Sequence, residues 1–191
     1  MVRLKVVVGI TGASGVIYGV RLLEELRKRE NIEIWLVISK SGKKVLEVET
    51  NYDINYLYSL ANKAYEENDF LAPIASGSFL YDAVVIIPAS MKTIAAIAHG
   101  YADNLIIRVA DIALKQKRRL ILVPRETPLN PIHLENMLKL SKLGAWIVPA
   151  CPGFYHKPKT IDDLINFIIG RVLDILQIQH DLFTRWGDFE K

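Results

Sequence analysis

The chain is 191 residues long, the size of one domain with a single well-buried core. Its 24 basic and 21 acidic side chains leave a net charge of +3, which excludes the strongly basic footprint of a nucleic-acid-binding protein. A hydrophobic fraction of 51% and a mean hydropathy of +0.19 are high, yet no apolar run reaches the ~20 residues of a membrane-crossing helix. The surplus is therefore expected at a subunit interface. A single cysteine, Cys151, forms no intramolecular disulfide and fits a reducing compartment. No charged, apolar and small-residue segments follow one another at the N-terminus, so a cytoplasmic protein is expected.

In chain order, a strand over 5–10 runs into the glycine turn "GITGASG" and a helix over 14–29. A strand over 33–39 precedes helices over 41–49 and 54–66, and the irregular segment 66–82 carries "SGS" as a candidate binding loop. A strand over 82–88 leads to helices over 91–99 and 104–117. Strands over 119–124 and 145–150 follow, separated by a helix over 131–142. The last helix, 160–178, starts on a capping-box pattern of Thr160 and Asp163. Nearly continuous Val/Ile/Leu strands alternating with helices predict a parallel sheet covered on both faces. No repeat or low-complexity linker divides the chain, so one domain over 1–191 is expected.

In such sheets ligands gather beyond the carboxyl ends of the strands, so the loops there are the places to search. In "GITGASG", Gly9, Gly12 and Gly15 are spaced by three, and the second strand ends at Ser39-Lys40 without an acid. A dinucleotide fingerprint needs G-x-G-x-x-G and a ribose-binding carboxylate, so NAD is disfavoured. A helix beginning at Ser14 offers amides to a phosphate, although the glycines alone would also close a tight turn. "PASMKT" presents the amides and hydroxyls of Ser90 to Thr93, equally explained by ordinary capping. Arg108, Asp111 and Lys115 share a helix face, which by periodicity alone reads as a solvated ion-pair ladder. In "VPRETPL", Arg125 and Glu126 stand between Pro124 and Pro128, a fixed guanidinium beside an ionised carboxylate. "PACPGFYHKP" adds Gly153, Tyr155, His156 and Lys157, with Cys151 read as a packing residue. Arg171 has Asp174 as an ordinary ion-pair partner three residues on. The four histidines lack metal-ligand spacing, so no metal is expected.

Taken in order, "TGASG", "SGSF", "PASMKT", "RVADIALK", "VPRETPL", "HLENMLKLSKLGA", "PGFYHKP", "GRVLD" and "RW" resemble the UbiX-type flavin prenyltransferases over essentially the whole chain. The resemblance implies a three-layer α/β fold, a Rossmann-like or flavodoxin-like open parallel sheet with helices on both faces. It implies FMN as the flavin, used reduced, and transfer of a dimethylallyl group from dimethylallyl phosphate or pyrophosphate to flavin N5 and C6, without a metal. Prenylated FMN would go to a UbiD-type decarboxylase, and the assembly would be a dodecamer with flavin sites at its interfaces. By the same resemblance, Gly12, Ala13, Ser14, Ser39, Ser90, Met91, Lys92, Thr93 and Arg125 contact FMN, with Ser14 near N5. Tyr155, Arg171 and Lys115 hold the dimethylallyl phosphate, and Arg108 is contributed to the interface site. Glu126 moves a proton, Glu49 is a further acidic contact, and Trp186, in a C-terminal tail over 180–191 that completes the site, lies over the prenyl group. The relatives vary where Leu80 and Tyr81 stand here. The competing expectation is an FMN-dependent decarboxylase of the same superfamily, disfavoured because its catalytic histidine and "PxMN"-like stretch are missing.

Overall fold

The computed structural model describes residues 3–188. Six strands form one parallel sheet: β1 (Leu4–Ile10), β2 (Ile32–Ile38), β3 (Lys63–Glu66), β4 (Ala83–Ala89), β5 (Arg119–Pro124) and β6 (Trp146–Ile147). Their spatial order is β3-β2-β1-β4-β5-β6, so the chain winds outward in one direction and then restarts beside β1. β1 pairs with β2 through Val6↔Ile34 and with β4 through Val6↔Ala83. The strand order therefore reverses between β1 and β4, where a crevice opens at the carboxyl ends.

Strand periodicity builds two cores. Val6, Val8 and Ile10 of β1, with Ile34, Leu36 and Ile38 of β2, face one layer of helices. That layer is α1 (Val16–Arg27), α2 (Lys40–Glu49), α3 (Ile54–Leu60) and α7 (Ile161–Leu176). Val7, Trp35 and Val37 face the other layer, α4 (Met91–Ala98), α5 (Leu105–Lys115) and α6 (Pro131–Lys142). The fold is thus the three-layer α/β arrangement expected, with both sheet faces covered. Local chemistry sets the helix starts: Ser39, Ser90, Asn104 and Asn130 each accept a first-turn N–H. The Thr160–Asp163 capping box forms as expected, and backbone N–H bonds from Lys159 and Thr160 hold the Asp163 carboxyl below its ordinary range.

Several elements differ from the sequence reading. The helix expected over 54–66 stops at Leu60, because Asn62 clamps onto β2: its N–H donates to Ile34 O at 2.9 Å and its Oδ1 accepts from Ile34 N at 2.8 Å. Residues 63–66 then pair as β3, with Tyr65 stacked on Trp35 at 5.9 Å. The helix expected from residue 14 begins at Val16, since Gly15 is its N-cap with φ +97°. The strand expected over 145–150 is reduced to Trp146–Ile147, although Val148 N and Ala150 N still donate to Leu122 O and Pro124 O of β5 at 2.8 and 3.0 Å; Pro124, lacking an N–H, cannot return the bond. Segment 66–82 carries a 3₁₀ turn, Pro73–Ala75, and its "SGS" is pinned to the end of α5: Arg118 donates to Gly77 O and Phe79 O at 2.8 and 2.9 Å. The "SGS" stretch thus lies at the end of α5, whereas Glu67 at the start of the segment reaches the N-terminus of α2. Tyr81 belongs to the core; its hydroxyl donates to Val109 O at 3.1 Å under the Arg118 guanidinium, and burial pushes it up to about 12.

Candidate functional site

The crevice is closed by a threonine. Thr11 Oγ1 donates to Pro88 O at 2.7 Å and accepts from Ser90 N at 2.8 Å, tying the loop after β1 to the loop after β4. Gly12 lets the β1 loop meet the start of α2, since a Cβ there would lie 2.5 Å from Ser41 Cβ. Ser39 accepts from Gly42 N at 2.9 Å beside it. Gly12, Ala13, Ser14, Ser39 and the Ser90–Thr93 turn thus meet at one edge of the sheet, as the resemblance implies. Arg125 joins them from the end of β5, its Nε donating to Ser14 O at 3.1 Å.

Three helix N-termini, of α1, α2 and α4, point into this edge, each favouring negative charge. Glu49 takes the first: its Oε2 accepts from Gly15 N at 2.7 Å. Glu67 takes the second through Lys40 N at 3.0 Å. At the third, Ser90 Oγ accepts from Thr93 N and shares a hydrogen bond with Thr93 Oγ1, and helix geometry leaves the N–H groups of Met91 and Lys92 without a partner inside α4. Lys92 Nζ stands 4.0 Å from Asp103 and is 78% exposed. Serine and threonine hydroxyls, open amides and Arg125 are a donor set that fits a phosphate-bearing planar group.

Gly15 must remain glycine for backbone reasons. Its φ of +97° lies in the left-handed region, and a Cβ would meet the Tyr18 ring at 3.0 Å. Gly15→Ala is expected to cost about 1–2 kcal/mol, lowering Tm by about 2–4 °C per kcal/mol in a thermal unfolding scan. An unchanged Tm would show that the turn relaxes freely.

Glu126 follows Arg125 on an exposed turn, where its Oε1 accepts from Thr127 N at 3.1 Å. It borders a small cavity of about 100 Å³ shared with Leu129, Met137, Pro149 and Cys151. Cys151 is exposed there, which corrects its reading as a packing residue. Burial, and then the neighbouring Cys151, raise the Tyr18 hydroxyl above its ordinary value, so the "PACPGFY" loop runs directly beside α1.

That loop opens a second cluster. Tyr155 meets Phe167 and Trp186 edge-on, at centroid distances of 5.6 and 5.3 Å. The tail after α7 turns back across that helix, so Trp186 and Arg171 share a neighbourhood with Tyr155. Arg171 bonds Asp174 at 2.9 Å, as the sequence suggested, but so do His180 and Arg185 of the tail. His180 and Phe183 belong to no motif and Arg185 only to the short "RW"; the return of the tail to α7 brings them beside that helix.

Two expected residues stand elsewhere in this chain. Arg108 donates to Ala75 O at 3.2 Å and pairs with Asp111 at 3.0 Å, so the ladder reading of this helix face holds for that pair. Lys115 ends α5 at the amino edge of the sheet. The six residues of β5 separate it from Arg125 and Glu126, about 20 Å at ~3.3 Å per residue. A cavity of about 980 Å³ also opens at that amino edge. Its arginines are engaged by backbone, Arg119 with Leu176 O and Arg29 with Gln179 O, and it gathers none of the expected site residues. Among the described residues no group of His, Cys, Asp and Glu could hold a metal ion.

Comparison with known proteins follows the same outline. Residues 1–173 match the Flavoprotein family model. The flavin prenyltransferase UbiX of Methanocaldococcus jannaschii is 58% identical over 184 residues, covering 96% of this chain and 99% of the relative. A solved UbiX structure in complex with FMN and dimethylallyl pyrophosphate superposes with a TM-score of 0.95 at 45% identity, covering 98% of this chain and 100% of that one. A dodecameric, FMN-dependent UbiX-like protein of Escherichia coli O157:H7, titled a decarboxylase, matches with a TM-score of 0.95 at 47% identity, over 96% and 100%. Cysteine decarboxylases share the fold at 20% identity or less, a distant likeness that carries no activity. With the crevice at the β1/β4 switch, the "SMKT" turn and this likeness along its length, the chain belongs to the flavin prenyltransferases of the flavoprotein family.

Proposed function

We propose that this protein joins a dimethylallyl group, taken from dimethylallyl phosphate or pyrophosphate, to N5 and C6 of reduced FMN, and that prenylated FMN passes to a UbiD-type decarboxylase. The observation that carries this reading is the meeting of two clusters along the "PACPGFY" loop. A phosphate-accepting edge with Arg125 and Glu126 lies on one side, and an aromatic and cationic group of Tyr155, Trp186 and Arg171 on the other.

When bound, reduced FMN supplies the nucleophilic ring positions; the chain supplies binding and charge control. Gly12, Ala13, Ser14, Ser39, Ser90, Met91, Lys92, Thr93 and Arg125 hold it, with Ser14 toward its reactive edge. Arg171, Tyr155, Lys115 and Arg108 take up the negative charge that grows on a departing phosphate, a preorganised electrostatic role. Tyr155 and Trp186 offer ring faces to an allyl fragment that becomes cationic. Glu126 accepts a proton as the new ring closes, and Glu49 anchors the Gly15 turn from which Ser14 projects.

Lys115 reaches such a site only from another copy of the chain, because β5 separates it from Glu126 within one subunit, and Arg108 of the same helix is read as contributed across that interface. α6 offers a surface for that assembly: Ile132, Leu134 and Leu138 are all more than half exposed. A dodecamer follows the Escherichia coli relative. The C-terminal tail completes the site as part of a single domain; residues 189–191 of that tail lie outside the described residues. Among the described residues no helix is long and apolar enough to cross a membrane. We place the protein in the cytoplasm, where an exposed cysteine thiol stays reduced.

The direct test is anaerobic. FMN reduced in the presence of the protein and given dimethylallyl phosphate should yield FMN carrying one dimethylallyl unit by mass spectrometry. Failure with both the phosphate and the pyrophosphate would remove the reading.

A further inference from the structure

Asp174 is the most connected carboxylate near the tail. Its Oδ2 accepts from Arg171 at 2.9 Å and from Arg185 at 3.2 Å. Its Oδ1 accepts from Arg185 at 2.7 Å and faces His180 Nε2 at 3.1 Å. One partner comes from α7 and two from the returning tail. The His180 side chain is 1% exposed and that of Asp174 22%, so water screens this contact poorly, whereas the Arg171 and Arg185 side chains are about half exposed. Burial alone would raise the Asp174 carboxyl, yet the bonds from Arg185 and His180 hold it below the ordinary carboxylate range. Gly170 permits the approach, because a Cβ there would run into the rings of Phe183 and His180.

Arg185 is followed directly by Trp186, whose ring meets Tyr155. The carboxylate that orients Arg171 therefore also anchors the segment that carries Trp186.

We propose that Asp174 is a positioning residue of the donor site, holding Arg171 and the tail's Arg185 on one carboxylate so that the phosphate-binding guanidinium and the aromatic cover are set together. This rests on the reading of Arg171 and Trp186 as dimethylallyl phosphate contacts. Arg185 grips Asp174 through two nitrogens, whereas Arg171 uses one and its side chain is 51% exposed. A guanidinium has five N–H donors, so Arg171 meets a phosphate with its other donors while the tail stays anchored. Without the carboxylate, two guanidinium groups are left facing each other and the tail loses its anchor.

Asp174→Asn and Arg185→Gln, in the full-length FMN-loaded protein, test this against Arg171→Gln and Trp186→Phe. Each of the first two should raise KM for dimethylallyl phosphate about tenfold, the loss of one charge-assisted interaction, with FMN affinity unchanged. Each should also shift the fluorescence component that Trp186→Phe removes, and Asp174→Glu should recover part of both. Wild-type KM and an unshifted Trp186 component in Arg185→Gln would overturn the proposal even if Asp174→Asn fails to fold. If Arg171→Gln raises KM while Asp174→Asn and Arg185→Gln do not, the positioning role alone is wrong. If Arg171→Gln leaves KM unchanged, the contact reading fails and the positioning role falls with it.

Discussion

Glu126→Gln is expected to slow formation of the prenylated flavin by about 10²–10⁴-fold, the usual contribution of a positioned general base, with FMN affinity unchanged. Glutamine matches glutamate in size and still offers an oxygen to Thr127 N, whose bond to Glu126 spans 3.1 Å, so the turn is retained. What it removes is the capacity to accept a proton. Stopped-flow spectra with mass spectrometry on quenched samples would measure the rate, and flavin titration would measure binding. Turnover at the wild-type rate would take Glu126 out of the mechanism and leave the departing phosphate as the proton acceptor. A parallel loss of FMN binding would give it a structural role instead.

Lys115→Met is expected to abolish most adduct formation in a uniform assembly, because on the proposed reading it removes a cation facing the charge that develops on the leaving phosphate. Losing one such stabilising group costs about 10²–10³-fold in rate. The informative experiment mixes it with Glu126→Gln subunits, dissociated and reassembled. If a site takes Glu126 from one chain and Lys115 from another, random mixing rebuilds intact sites in about a quarter of positions, although both parents are inactive. If both residues served one chain's site, no mixture would recover activity. The single-chain geometry favours the first outcome, since the length of β5 stands between the two residues. Methionine keeps the length and most of the apolar stem of lysine, so packing at the end of α5 is preserved.

Much of the crevice edge was legible because its residues are local in sequence. A turn such as "PASMKT" carries its own N-cap and its own amides, and the structure uses Ser90 as that cap. The same holds for Thr160 and Asp163. Gly15 was legible as a turn glycine, but its left-handed φ and its bond to Glu49 were not, because Glu49 lies on another helix. β3 was missed because "KAYEE" has the charge pattern of a helix end, and only pairing of Asn62 with Ile34 across β2 turns it into a strand. The Asp174 cluster was half legible: Arg171 at three residues' distance is visible in any helix, whereas Arg185 and His180 depend on the return of the tail.

By itself the sequence determined the alternation of strand and helix, the caps, the two-faced burial of the strands and the family. These follow from periodicity, from short-range hydrogen bonds and from motifs contiguous along the chain. Only the tertiary structure decided three other matters. It showed that two of the three helix N-termini at the crevice already hold carboxylates, leaving α4 open. It showed that Asp174 joins α7 to the tail, and that Lys115 stands a strand's length from Glu126. The physical reason is common to all three. Charges act through space over a few ångströms, while the residues that supply them are 11 to 34 positions apart in the first two cases. In the third, 11 residues in sequence are a full strand apart in space.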